Sequence, residues 1–314
     1  MRHLPEVTDR EHYGRLFKDD SLWIGAIRAI AQRHGLEGEP ERGRLGSHIV
    51  YRVGDAWIKM MAPLFAQDMP LEVSGLRAVQ GNLSIETPRI EGEGEIEGWP
   101  YLVLSHIEGR PIREVWGHCT TVQKRALAKT IGQVVREIGL CPADEIIHNR
   151  FQWNSFITGQ LVKAREQQIK KGLPESWLAH LDEFLKIFEK EEFLSSHPLF
   201  LHADLTFDHF LVVGDDKPRL NGLIDMADCQ MGHLEYELVA PCTFIFKGDR
   251  EALTEFLTSA SLSAVNLTER FSQKLLAWSI LHRYFSLISW FKTEMASVPE
   301  GDFKALARAV YPLA

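Results

Sequence analysis

The chain has 314 residues, 45% of them hydrophobic and 25% charged, with a formal net charge of −8. That is ordinary globular composition, enough for one large domain or two lobes. No Lys/Arg-rich stretch appears beyond short pairs such as Lys170-Lys171, which argues against a nucleic-acid partner, and the acidic balance favours a cationic small molecule over an anionic one.

The first residues, MRHLPEVTDREHYGRL, lack the apolar core of a signal peptide. From residue 21, SLWIGAIRAIAQRHG carries apolar residues at helical spacing and stops at Gly35. Residues 43–61 read as two strands joined at Gly54-Asp55, a hairpin turn signal. A short helix is expected around PLEVSGLRAVQ, then strands broken by a Gly/Glu-rich turn in TPRIEGEGEIEGWPYLVLSHI. After Gly109 the pattern turns helical over 121–139, 155–171 and 175–191. Short strands return at 199–225, and helix resumes from about 249 to the end. The apolar run 275–291 is interrupted by His282 and Arg283, so it reads as a buried helix and not a membrane span. The four cysteines have no paired spacing and read as free thiols of a reducing cytosol, with no zinc site. A cytoplasmic protein is expected, with no membrane partner. The whole order is a two-lobed α+β pattern: a strand-rich lobe over 1–105 and a mainly helical lobe over 106–314.

The segment FLHADLTFDHFLVVGDDKPRLNGLIDMADCQMG concentrates the chemistry. Asp204 sits on a loop, an apolar strand follows from Phe210 to Val213, and a second strand from Leu220 to Ile224 ends at Asp225. A hairpin of this kind brings two carboxylates near one point. Phosphoryl transfer uses such a pair, one to orient and deprotonate the attacking hydroxyl and one to hold Mg²⁺ against nucleotide phosphates. Two other readings stay open at this point. His202, Asp204, Asp208 and His209, with His233, resemble a metallohydrolase ligand set, and a kinase-like fold without activity could serve only to bind.

The run from His202 through Asp204 to His209, followed by Ile224-Asp225, resembles the H-G-D-L-x-x-x-N … I-D signature of the aminoglycoside phosphotransferase superfamily, relatives of the protein kinases. GSHIVYRVGDAWIKM is similar to the family's nucleotide loop (Gly46, Ser47) and lysine strand, LEVSGLRAV to its glutamate helix, and GWPYLVLSHIEGRPI to the hinge that holds adenine (Leu104, Ser105, Ile107). GHLEYELV resembles the segment after the metal aspartate. Within the superfamily the likeness runs to the hygromycin B phosphotransferases, through WPYLVLS, DDSLWIGAIRAI and the tail GDREALTEFL … LLAWSILH.

The resemblance implies a protein-kinase-like fold and ATP-dependent phosphorylation of a hydroxyl on an aminoglycoside-type antibiotic, giving resistance, with GTP open as a donor. It assigns Asp204 as catalytic base, Asp225 to Mg²⁺, Lys59 to the α/β-phosphates, Glu72 to Lys59, and His202 to bracing the loop. Three positions depart from the signature. His209 stands where the family has a metal-binding asparagine, although Mg²⁺ prefers oxygen ligands. Ala203 replaces a glycine, and Glu237 replaces an aspartate in a change expected to be harmless. Aminoglycoside kinases line the acceptor site with carboxylates, for which Asp228, Glu235 and Asp208 are candidates, with Asp249 further on. Other members of the superfamily phosphorylate choline, homoserine, fructosamine or macrolides. A monomer or weak dimer is expected.

Overall fold

The computed structural model describes residues 4–44, 46–143, 153–189, 198–260 and 267–313. Its amino-terminal lobe is an antiparallel sheet in the order β1–β2–β3–β5–β4, formed by β1 (Glu41–Arg42), β2 (Ile49–Val53), β3 (Ala56–Met60), β4 (Ile90–Ile96) and β5 (Trp99–Ser105). Alternation along these strands decides which residues meet the cleft. Ile49, Tyr51 and Val53, then Ile58 and Met60, then Tyr101 and Val103, point into one apolar cluster with Trp23, Ile27 and Ile30. Those last residues belong to, or precede, helix α2 (Ile24–Arg33), which follows the short α1 (Arg10–Leu16). Because side chains alternate at period 2, Val50, Trp57, Lys59 and Leu104 emerge on the opposite face and line the cleft. Helix α3 (Asp68–Val79) covers that face from behind.

The hairpin at Gly54-Asp55 forms as expected, with Val53 paired to Ala56. The Gly/Glu-rich stretch, however, is not a turn. It is strand β4, and the turn lies at Glu97-Gly98, both at positive φ. A Cβ on Gly92 would meet the His34 ring at 2.5 Å, and one on Gly94 the Tyr101 hydroxyl at 2.6 Å. The two glycines therefore clear room for neighbouring rings, and the alternate glutamates stay on the outer face.

The rest of the chain is mainly helical. A small sheet joins β6 (Arg110–Pro111), β8 (Phe210–Val213) and β9 (Arg219–Leu223), while β7 (Leu199–Leu201) pairs with β10 (Gln230–Gly232). Around them lie α4 (Ile112–Trp116), α5 (Thr121–Ile138), α6 (Trp153–Lys170), α7 (Glu175–Leu185), α8 (Leu234–Ala240), α9 (Arg250–Ser259), α10 (Glu269–Leu281), α11 (Leu287–Met295) and α12 (Phe303–Val310). The protein is thus a mixed α+β molecule with a sheet lobe and a helical lobe, as read from the sequence. The expected helix of 175–191 is helical through Glu189, and its last two residues lie outside the described set. Fully buried leucines and isoleucines each contribute about 1.5–3 kcal/mol, against about 0–1 kcal/mol for an exposed ion pair, so the apolar clusters hold the fold.

The run 275–291 is two helices, not one. The chain leaves α10 at His282 (φ −68, ψ 131), and Ser286 caps α11 by accepting from the Ser289 amide. The break is occupied by polar contacts: His282 Nε2 lies 3.3 Å from the Ala203 carbonyl, and Arg283 reaches Asp228 and Gln230. These polar partners sit beside the loop that carries Asp204. The four cysteines are free thiols, and no described helix is long and apolar enough to cross a membrane.

Candidate active site

Strand β3 presents Lys59 to the cleft, and α3 presents Glu72 beneath it, only 1% exposed. Lys59 Nζ donates to Glu72 Oε1 at 2.8 Å and to Asp225 Oδ1 at 2.9 Å. Burial works against the Lys59 ammonium, but Asp225 and Glu72 outweigh it and raise its pKa. For Asp225 burial is likewise overcome, by Lys59 and His209, and its carboxyl is held far below the ordinary range. Burial dominates at Glu72 and pushes it up to about 7 against the pull of Lys59. An ammonium this deep is tolerated because two carboxylates satisfy it.

The loop from His202 to His209 is anchored from below. Glu237, buried in α8, accepts from the His202 amide at 2.8 Å and the Ala203 amide at 2.7 Å, one on each oxygen. Ala203 sits at φ +64, a conformation that favours the glycine expected here, and the clamp holds it there. Glu237 stands where the resemblance has an aspartate, and its carboxylate grips both amides. Replacing Glu237 with Gln turns one acceptor into a donor facing an amide. The expected result is a loss of about 1–3 kcal/mol in stability by chemical denaturation; an unchanged midpoint would show that the clamp does not carry the loop.

His202 is fully buried. Its Nδ1 accepts from the Asp204 amide at 3.3 Å, and its Nε2 donates to the Ile224 carbonyl at 3.1 Å. Burial, with the neighbouring His209, lowers its pKa to about 4, so it is neutral and ties the Asp204 loop to the strand end before Asp225. Asp204 itself is pushed up to about 6 by burial, with Asp228 and Asp225 adding to the rise and His209 opposing it.

His209 Nδ1 donates to the Asp204 carbonyl at 2.6 Å, and its Nε2 lies 3.6 Å from Asp225 Oδ2. Burial lowers its pKa, and the two aspartates more than reverse that. Asp225 takes φ +70, in the left-handed region that aspartate enters more readily than most residues. Asp204, His209 and Asp225 are thus brought together, with Lys59 and Glu72 completing the group.

The cleft above them encloses about 660 Å³, and Gly46, Ser47, Leu104, Ser105 and Ile107 all border it. Ser105 lies at the end of β5, its Oγ accepting from the Arg89 amide. Three cleft features escaped sequence reading. Gly43 packs closely on the wall, since a Cβ there would meet the Trp57 ring at 3.0 Å. Trp57 lines the same wall and donates its indole N–H to His106 Nδ1 at 3.0 Å. His48 is buried with Nδ1 unpartnered, and burial lowers its pKa to about 4. Trp57 lies two residues from Lys59 on the same strand face, a signal the alternation alone contained.

The expected acceptor carboxylates carry cations of their own. Asp208 is held by Arg44 and Arg113, Asp228 by Arg283 with the Tyr284 hydroxyl, and Glu235 by Lys274 with the Trp278 indole. Glu235 is also buried. Asp249 caps α9 by accepting from the Ala252 amide, and His233 caps α8.

No group of three or more His, Cys, Asp and Glu side chains among the described residues is arranged to hold a metal. Of the ligand set in the metallohydrolase reading, Asp208 is bonded to two arginines and His202 to backbone. A Mg²⁺ ion fits a different way. It commonly takes one or two protein ligands and completes its shell with phosphates and water, and ionised Asp225 beside His209 Nε2 offers that pair.

The description "phosphotransferase enzyme family" matches residues 43–269. No curated protein matches. Among solved structures the chain is similar to the GDP and kanamycin complex of APH(2'')-IIIa, at 17% identity over 91% of this chain and 96% of that one, TM-score 0.69. It is similar to the macrolide 2'-phosphotransferase MphH of Brachybacterium faecium, at 15% identity, 91% and 98% coverage and TM-score 0.59. A third likeness is to APH(3'')-Id of Streptomyces rimosus with ADP and streptomycin, at 14% identity, 83% and 98% coverage and TM-score 0.58. With the match spanning Lys59, Asp204 and Asp225 alike, the chain belongs to the phosphotransferase enzyme family and is a small-molecule kinase of kinase-like fold.

Proposed function

We propose that the protein transfers the γ-phosphoryl group of ATP to a hydroxyl of an aminoglycoside-type antibiotic, with hygromycin B the first candidate, and so inactivates it. The observation that carries this reading is the convergence of Lys59, Glu72 and Asp225 at the floor of one cleft, with His209 set between Asp225 and Asp204 at 3.6 Å from a carboxylate oxygen of each. Residues 1–105 serve as the nucleotide lobe and 106–314 as the lobe of catalysis and acceptor binding. Lys59 binds the α/β-phosphates, Glu72 holds Lys59, and Gly46, Ser47, Leu104, Ser105 and Ile107 border the nucleotide. Asp204 accepts the proton of the acceptor hydroxyl as its oxygen bonds to the γ-phosphorus, and the bond to the nucleoside diphosphate breaks. Asp225 and His209 would hold Mg²⁺, which when bound neutralises charge on the phosphates. GTP is the other donor to be tested, since solved relatives include GDP complexes.

The charge pairing of Asp208, Asp228 and Glu235 favours a second reading, in which the acceptor is another small hydroxylated molecule with fewer cationic groups. The deciding experiment is nucleoside diphosphate release by the purified protein with ATP or GTP and Mg²⁺. Acceptors are hygromycin B, a panel of other aminoglycosides, choline and homoserine. Turnover with hygromycin B alone supports the narrow reading; turnover only elsewhere moves the substrate. Silence throughout, with nucleotide still bound, points to a binding protein.

His209 carries its own test. An imidazole is a poorer Mg²⁺ ligand than an amide oxygen and must lose its Nε2 proton to bind. His209→Asn is therefore expected to lower the Mg²⁺ concentration for half-maximal rate several-fold, roughly 3- to 10-fold. An unchanged metal dependence would take His209 out of the metal shell.

A further inference from the structure

Asp208 lies between Asp204 and His209 in sequence, yet its carboxylate is taken up at the cleft mouth. It accepts from Arg44 Nη1 at 2.9 Å and from Arg113 Nε at 2.8 Å, and Arg113 Nη2 holds the second oxygen. Arg44 follows Gly43 on the sheet lobe, whereas Arg113 belongs to α4 of the helical lobe. The Arg113 guanidinium lies 3.8 Å from the centre of the Phe207 ring, and its amide donates to the Phe207 carbonyl at 3.2 Å. Glu114 approaches Arg44 at 3.7 Å. Arg44, Arg113, Glu114 and Asp208 all border the cleft.

We infer that Asp208 is a positioning residue, a clasp that draws the nucleotide loop onto the catalytic loop through Arg44. The inference rests on the proposed nucleotide site. The two-bond contact with Arg113 fixes the orientation of the carboxylate, and stacking on Phe207 fixes Arg113. Asp208 is therefore held in a fixed orientation toward Arg44, and the pair joins the start of the nucleotide loop to the segment that carries Asp204 and His209. The same contacts occupy Asp208 and withdraw it from acceptor binding. The Arg44 side chain is 54% exposed, so its pair with Asp208 is open to salt screening, unlike the buried Lys59 group.

The test is dissociation of fluorescently labelled ATP and GTP from the full chain, followed by stopped flow with Mg²⁺ and no acceptor. Arg44→Gln and Asp208→Asn are each expected to speed release roughly 3- to 10-fold, and the double variant no more than the faster single. Added salt should narrow the difference in release rate between the unaltered protein and the double variant, because only the former has the exposed pair to screen; a difference that salt does not change would overturn the clasp. Singles that release at the unaltered rate, or effects that multiply in the double variant, would overturn the clasp. Should Asp208→Asn fail to fold, Arg44→Gln with its salt dependence still decides, because that side chain is half exposed. An unaltered protein that binds neither nucleotide would remove the proposed function and the clasp with it; binding with independent variants removes only the clasp.

Discussion

Asp204→Asn is expected to cut turnover by about 10²- to 10⁴-fold, the range that a positioned general base supplies, while nucleotide binding persists. The amide keeps the size and the neighbours of the carboxylate but cannot take the hydroxyl proton. Stability separates this from a folding defect. The folded-state pKa of Asp204, about 6, lies above its ordinary value because burial disfavours the charge. The ionised side chain therefore costs stability at neutral pH, and the uncharged amide should leave the melting temperature unchanged or slightly higher. The same shift predicts the pH profile. Only the ionised carboxylate accepts a proton, so the rate at low substrate concentration should be flat above about pH 6 and fall roughly tenfold per unit below it. Near-normal turnover in Asp204→Asn, or a profile without that break, would remove Asp204 as the base.

Asp225→Asn is expected to abolish nearly all turnover for a different reason. Asparagine tolerates the left-handed backbone at this position, so the change tests charge and not conformation. Lys59 loses one of its two carboxylates and keeps Glu72. Removing one partner of a fully buried pair costs about 3–5 kcal/mol. Asp225 is 38% exposed, and solvent screens part of its interaction, so a loss nearer about 1–2 kcal/mol is expected here. The larger effect falls on the metal-dependent step. Nucleotide binding by Asp225→Asn should no longer strengthen when Mg²⁺ is added, whereas Asp204→Asn should keep that response. Retention of the Mg²⁺ response in Asp225→Asn would place the ion elsewhere.

The contrast between the two variants follows from environment. Asp225 faces an ammonium and is held ionised, while Asp204, the less exposed of the two, is pushed toward protonation by burial and by the neighbouring carboxylates. Two carboxylates at one site thus acquire opposite tendencies, which suits one to charge binding and the other to proton transfer.

The amino-acid sequence by itself determined the strand alternation that turns Lys59 to the cleft and Tyr51 to the core, because a period of 2 is local and needs no partner. It also determined the hairpin that carries Asp225 back toward Asp204, since each strand is short, apolar and bounded by turn residues. What it left undetermined were the partners. Glu237 meets the His202 amide across 35 positions, and Arg44 meets Asp208 across 164. No local pattern encodes such pairings, and a charged residue on a loop reads the same whether it faces solvent, a ligand or an arginine. The helix break at His282 was hidden for the same reason: the polar pair His282-Arg283 interrupts the run, but only the carbonyl of Ala203 and the side chains of Asp228 and Gln230 make leaving the helix there favourable. Tertiary structure therefore decided which charges were already spent, and with that the chemistry each remaining group is free to perform.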